Sequence, residues 1–121
     1  MFSLKGKNAL VTGGSRGIGR GIVIALAKAG ANVVVNYHSK QEDAEKLVAE
    51  IKTLGVSGFA VGADVSKKAE VAGMFAEVKA QFKTLNILVN NAGVVNMGPI
   101  DNLTEEDWDK VIDTNLKAHF L

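Results

Sequence analysis

With 121 residues, 47% of them apolar, the chain is one domain's worth and can bury a core. Fourteen basic against thirteen acidic residues leave a formal charge of +1, which argues against a general nucleic-acid binder, and no window approaches the roughly 18–20 apolar residues of a membrane span. Cysteine is absent, so disulfides and thiolate metal sites are excluded. The N-terminal MFSLKGKNALVTGG has too short an apolar run for a signal peptide, and a soluble, cytoplasmic, metal-free domain is expected.

In chain order, two hydrophobic periods alternate. The run NALV (8–11) is continuous and β-branched, as for a strand buried on both faces. It leads straight into a turn, Thr12-Gly13-Gly14-Ser15-Arg16-Gly17-Ile18-Gly19-Arg20. Residues 16–29 then place Ile18, Ile22, Ala25, Leu26 and Ala29 at helical steps. A strand, a glycine turn and a helix start together make an anion site, because outward N–H groups and the helix dipole favour negative charge. A tight strand-to-helix turn also needs glycine for purely structural reasons, so the turn alone leaves both readings open. It does not match G-x-G-x-x-G, and it lacks the Gly-Lys-Ser/Thr ending of a phosphate-binding P-loop.

NVVV (32–35) is the second strand, followed by Asn36-Tyr37-His38-Ser39-Lys40. A helix over 40–54 aligns Ala44, Leu47, Val48, Ile51 and Leu54, and Ser39 with Glu42 fits a capping box. Gly30 and Gly55 stand just past the first two helices, where a left-handed residue is wanted. GFAV (58–61) is the third strand, followed by Asp64 and Val65. The third helix, over 67–82, aligns Val71, Met74, Phe75, Val78 and Phe82, with Ser66 as its candidate cap. NILV (86–89) is the fourth strand, followed by Asn90-Asn91-Ala92-Gly93. A fourth helix over 105–121, with a looser capping pair in Thr104 and Asp107, aligns Trp108, Val111, Ile112, Asn115, Leu116 and His119. Strands alternating with helices predict an α/β fold, a parallel sheet covered on both faces, with right-handed crossovers and spatial order 3-2-1-4.

The pattern T-G-x-x-x-G-x-G after the first strand resembles the short-chain dehydrogenase/reductase family. Asp64-Val65 is similar to that family's adenine-contacting pair, and Asn90-Asn91-Ala92-Gly93 to its second signature. Asn115 falls where the family carries a catalytic asparagine. Within the family, the NVVVNYHSK and NNAG–EEDWDKVIDTNL regions look like bacterial 3-oxoacyl-carrier-protein reductases and glucose 1-dehydrogenases, which this stretch does not separate. The resemblance implies a Rossmann-like, doubly wound NAD(P)-binding domain over residues 1–121 and an oxidoreductase acting on a small carbonyl or alcohol. It places Gly13, Ser15, Arg16, Gly17, Ile18, Gly19, Asn36, Tyr37, His38, Asp64, Val65, Asn91, Ala92 and Gly93 around the cofactor, with Asn115 in a proton relay.

An NAD site usually has a carboxylate at the end of the second strand, to hold the ribose 2′-hydroxyl. Residues 36–40 contain none, while Arg16, His38, Ser39 and Lys40 offer donors for a 2′-phosphate, so NADP is expected over NAD. Tyr37 either covers the adenine or simply packs. Asp64 either accepts a bond from the adenine amine or belongs to the start of the third helix. Asn115 sits in an apolar stripe and needs backbone partners in any case. The family's serine and Tyr-x-x-x-Lys pair are missing: Tyr37 is the sole tyrosine, and the residue four later is Gln41. Family members are usually far longer than this. The chain is therefore expected to be the N-terminal half of such an enzyme, inactive by itself. The fourth strand is expected to be an open edge and the last helix uncovered, both favouring association into a homo-oligomer.

Overall fold

The continuous apolar runs form four parallel strands, β1 (Asn8–Val11), β2 (Asn32–Tyr37), β3 (Gly58–Gly62) and β4 (Ile87–Val89). The computed structural model describes residues 3–15, 17–90 and 94–96, the last three by backbone alone. Between the strands lie α1 (Gly17–Lys28), α2 (Gln41–Lys52) and α3 (Lys68–Gln81), and a short strand, β5 (Val94–Asn96), follows β4. The sheet order is β3-β2-β1-β4-β5. The predicted order of the first four strands is therefore the observed one.

Register explains why the runs are apolar throughout. One row across the sheet is Phe59, Val34, Leu10 and Leu88, and the next is Ala60, Val35, Val11 and Val89. Successive residues face opposite sides, and both sides are covered. Leu10, Val34 and Leu88 pack with Val71, Met74 and Val78 of α3. Val11, Val33, Val35 and Val89 pack with Val23 and Ala27 of α1 and with Leu47, Val48 and Ile51 of α2. Leu10, Val11, Val33, Val34 and Val35 are fully buried. No helix among the described residues is long and apolar enough to cross a membrane.

The helix ends at Gly30 and Gly55 adopt the left-handed backbone expected of them, with φ of 102° and 90°. The expected helix starts do not hold. The cap position of α2 is Lys40, with no side-chain cap bond, so Ser39 and Glu42 form no capping box. The cap position of α3 is Lys67, again without a side-chain bond. Ser66 is diverted: its hydroxyl donates to Asp64 Oδ1 at 2.7 Å, and its N–H donates to the same oxygen at 3.0 Å. A carboxylate two residues back is a stronger acceptor than the hydroxyl is a cap, so a local turn replaces the cap. The Asp64 N–H in turn donates to Glu70 Oε1 at 2.9 Å.

The expected open edge at β4 is also corrected. β5 pairs antiparallel with β4, matching Val89 with Val94, Leu88 with Val95 and Ile87 with Asn96. The chain folds back after a short connection, and its backbone takes up hydrogen-bonding groups that β4 would otherwise present. The predicted helix over 105–121, with Thr104, Asp107, Trp108 and His119, lies outside the described residues.

Candidate nucleotide site

Every parallel strand ends at the same edge of the sheet, which brings residues 12–15 and 17–19, Asn36 to His38, Asp64 and Asn90 together. The chain leaves β1 toward β2 on one side, while β4 lies on the other, so the crevice of an open α/β sheet falls above β1 and β4. The glycine turn is anchored on both flanks. The Thr12 N–H donates to the Val89 carbonyl at 2.8 Å, on the β4 side. On the β2 side, the Gly13 N–H donates to Asn36 Oδ1 at 3.2 Å and the Gly14 N–H to the Asn36 carbonyl at 3.1 Å.

Two glycines of the turn serve different purposes. Gly17 has φ of 60°, and a Cβ built on it would meet nothing within 4 Å, so the space over it is open. At Gly19 a Cβ would collide with the Gly13 carbonyl oxygen and come within 2.9 Å of the Gly14 Cα. Gly19 thus lets α1 start directly against the turn. Ile18, between them, is 79% exposed.

Electrostatics single out the same helix. The first turns of α2 and α3 hold Glu42, Asp43 and Glu70, which complement their dipoles. The first turn of α1 holds no acidic residue. Its N-terminal N–H groups have no intrahelical acceptor, so this end is left suited to an anion.

The ends of β2 and β3 form the far wall. Asp64 Oδ2 lies 3.6 Å from His38 Nε2, with Asp64 about a quarter exposed and His38 mostly exposed. The bonds from the Ser66 hydroxyl and then its N–H hold the Asp64 carboxyl below the usual carboxylate range. Asp64 therefore keeps one oxygen for Ser66 and turns the other toward His38. Tyr37 packs across Gly62: a Cβ added there would lie 2.9 Å from the tyrosine ring. Val65 is partly buried against the α3-side core.

The structure therefore brings Gly13, Ser15, Gly17, Ile18, Gly19, Asn36, Tyr37, His38, Asp64 and Val65 to one edge. Of the remaining candidates, Arg16, Asn91, Ala92, Gly93 and Asn115 lie outside the described residues. Asn36 differs from what its sequence position suggests. Its surface is 3% exposed and its side chain is bonded within the protein. The signal for it was the lone polar residue prolonging an apolar strand, which is buried only if β2 runs on to Tyr37.

A family model described as short chain dehydrogenase matches residues 7–121. A 3-oxoacyl-[acyl-carrier-protein] reductase FabG of Staphylococcus aureus is 52% identical over 114 residues, covering 94% of this chain and 46% of that protein. A hydroxynaphthalene reductase-like protein Arp2 of Metarhizium guizhouense is 48% identical over 118 residues, covering 98% of this chain and 44% of that protein. The chain thus spans about half the length of the curated relatives it matches. Among solved structures, a short chain dehydrogenase from Burkholderia cenocepacia in complex with NADP matches with a TM-score of 0.72 and 43% identity, covering 97% of this chain and 48% of that one.

Proposed function

The chain belongs to the short-chain dehydrogenase/reductase family, a family of oxidoreductases, and from that premise we propose that it is the cofactor-holding half of an NADP-dependent enzyme. Such an enzyme moves a hydride between the nicotinamide and a small carbonyl or alcohol, a 3-oxoacyl thioester, ketone or sugar. The observation that carries this reading is the acid-free start of α1 beneath a turn that is open over Gly17. The turn from Gly13 to Gly19, with Arg16, would receive the pyrophosphate, using the backbone N–H groups from Ser15 onward because those of Gly13 and Gly14 are taken by Asn36. His38 and Asp64 would border the adenosine, and Asn91, Ala92 and Gly93 would pass beside the second ribose. Asn115 would hold a water for proton transfer.

NADP is favoured because residues 36–40 carry no carboxylate to repel a 2′-phosphate, and Arg16, His38 and Lys40 offer donors there. The relative from Burkholderia cenocepacia is an NADP complex, which supports the same choice. When bound, the nicotinamide supplies or takes the hydride, and a separate group must handle the proton. Tyr37, the sole tyrosine, is packed over Gly62 at the end of β2. That placement supports, as the alternative for these 121 residues alone, a nucleotide-binding or structural role without turnover. A cytoplasmic setting and self-association complete the proposal, the latter to be read by light scattering.

Calorimetric titration with NADP and NAD tests the proposal. Binding of both, with NADP tighter, is expected. Absence of binding would overturn the nucleotide reading. Carbonyl reduction by residues 1–121 alone, at a rate ordinary for an enzyme, would overturn the division of labour.

A further inference from the structure

Asn36 is a buried side chain that touches three segments of the proposed cofactor edge. Its Oδ1 accepts the Gly13 N–H at 3.2 Å. Its Nδ2 donates to the carbonyls of Ala63 at 3.2 Å and Val61 at 3.3 Å, with a longer approach to that of Tyr37 at 3.4 Å. Its own carbonyl accepts the Gly14 N–H at 3.1 Å. The network fixes which way the amide faces: flipped, its oxygen would oppose carbonyls and its NH₂ would oppose an N–H. Asn36 thus ties the glycine turn to the end of β3, where the chain continues to Asp64.

We propose that Asn36 is a positioning residue, which sets the height of the glycine turn for a bound dinucleotide and does not itself contact the ribose. The inference rests on the nucleotide reading above. It has a consequence for specificity. The Gly13 and Gly14 N–H groups are held by Asn36, so anion binding falls to the N–H groups from Ser15 into the first turn of α1. A carboxylate at position 36 would not create an NAD site, although an acid near the end of the second strand is the usual NAD device. It would face the carbonyl oxygens of Val61, Ala63 and, less closely, Tyr37 in a buried place, with one N–H in its favour.

The test uses Asn36→Asp, Asn36→Ala and, as a control, Asn8→Ala at the opposite edge of the sheet. NADP and NAD affinities are measured by calorimetry, relative to the wild-type protein at each pH, with melting temperatures in parallel. A positioning role predicts that Asn36→Asp weakens both dinucleotides by the same factor, about tenfold for a lost buried hydrogen bond. Their ratio stays at the wild-type value. Affinity recovers as the pH is lowered, because a protonated carboxyl can again donate to one carbonyl while accepting the Gly13 N–H. Asn36→Ala, which buries no charge, shows the same joint loss without the recovery, and it carries the test if Asn36→Asp does not fold. Asn8→Ala lowers the melting temperature and leaves both affinities intact.

A ribose contact predicts the opposite: Asn36→Asp would turn preference toward NAD, most strongly at alkaline pH, and that result overturns the proposal. Equal loss of affinity in Asn8→Ala would also overturn it, by reducing the effect to general destabilisation. Wild-type protein that bound neither dinucleotide would bring down the nucleotide reading and this inference with it.

Discussion

Gly17 and Gly19 are two residues apart and should fail differently when replaced. At Gly17 the obstacle is conformation, since φ is 60° and a side chain would have open space. Asparagine tolerates that region, so Gly17→Asn should stay close to wild-type stability, whereas Gly17→Ala should lose about 1–2 kcal/mol. Both side chains would stand in the space proposed for the pyrophosphate, so both should lose NADP binding. At Gly19 the obstacle is backbone, and Gly19→Ala should cost about 1–3 kcal/mol whether or not cofactor is present. Urea melts beside NADP titrations separate the cases. Asp64 offers a pH-dependent check. Its carboxyl is held low by Ser66, so its contribution to stability is present above the unfolded pKa and is lost as pH falls through the folded one. Ser66→Ala removes the leading donor. The Asp64 carboxyl should then titrate closer to the ordinary range in an NMR experiment, and the stability gap to wild type should close in acid.

At the scale of elements, the strand starts carry a regularity that apolar patterning passes over. Asn8, Asn32 and Asn86 stand at or immediately before the starts of β1, β2 and β4. The Asn32 side chain donates to Asn8 Oδ1 at 3.0 Å, the Asn8 side chain donates to the Thr84 carbonyl at 3.1 Å, and Asn86 Oδ1 accepts the Asn8 N–H at 2.8 Å. Asn32 Oδ1 also accepts the Ser57 N–H at 3.0 Å. These amides cross-link the edge opposite the proposed site. Asn32→Ala should cost about 0.5–1.5 kcal/mol, because these partly exposed partners can turn to water, with NADP affinity unchanged. The strands were legible because two-sided burial demands unbroken apolar runs. The helix starts were not, because Ser66 had a nearer partner in Asp64, and Lys40 takes the cap position expected for Ser39. The inward turn of Asn36 was illegible for a related reason: periodicity ended β2 at Val35, and only pairing with β3 extends it to Tyr37.

For the whole molecule, alternation of strands and helices fixed the parallel order, since right-handed crossovers leave few alternatives. It did not anticipate β5, because three residues make too short an apolar run to register as a strand. The glycine turn belongs to both scales: it is held between β2 and β4 by Asn36 and Val89, and Gly14 is packed against Val23 of α1. A ligand seated there should therefore stabilise the whole fold and not the turn alone. Binding only to the folded state at a hundredfold excess over Kd adds about 2.7 kcal/mol, which for a domain of this size raises Tm by roughly 10 °C. Scanning calorimetry with increasing NADP should show that rise as one cooperative transition. Gly17→Asn should melt near the wild-type temperature without ligand and gain nothing from NADP. A rise of the same size in that variant would move the dinucleotide away from the turn. A transition that split in two would mean that β1, β2 and β4 do not share the bound anion.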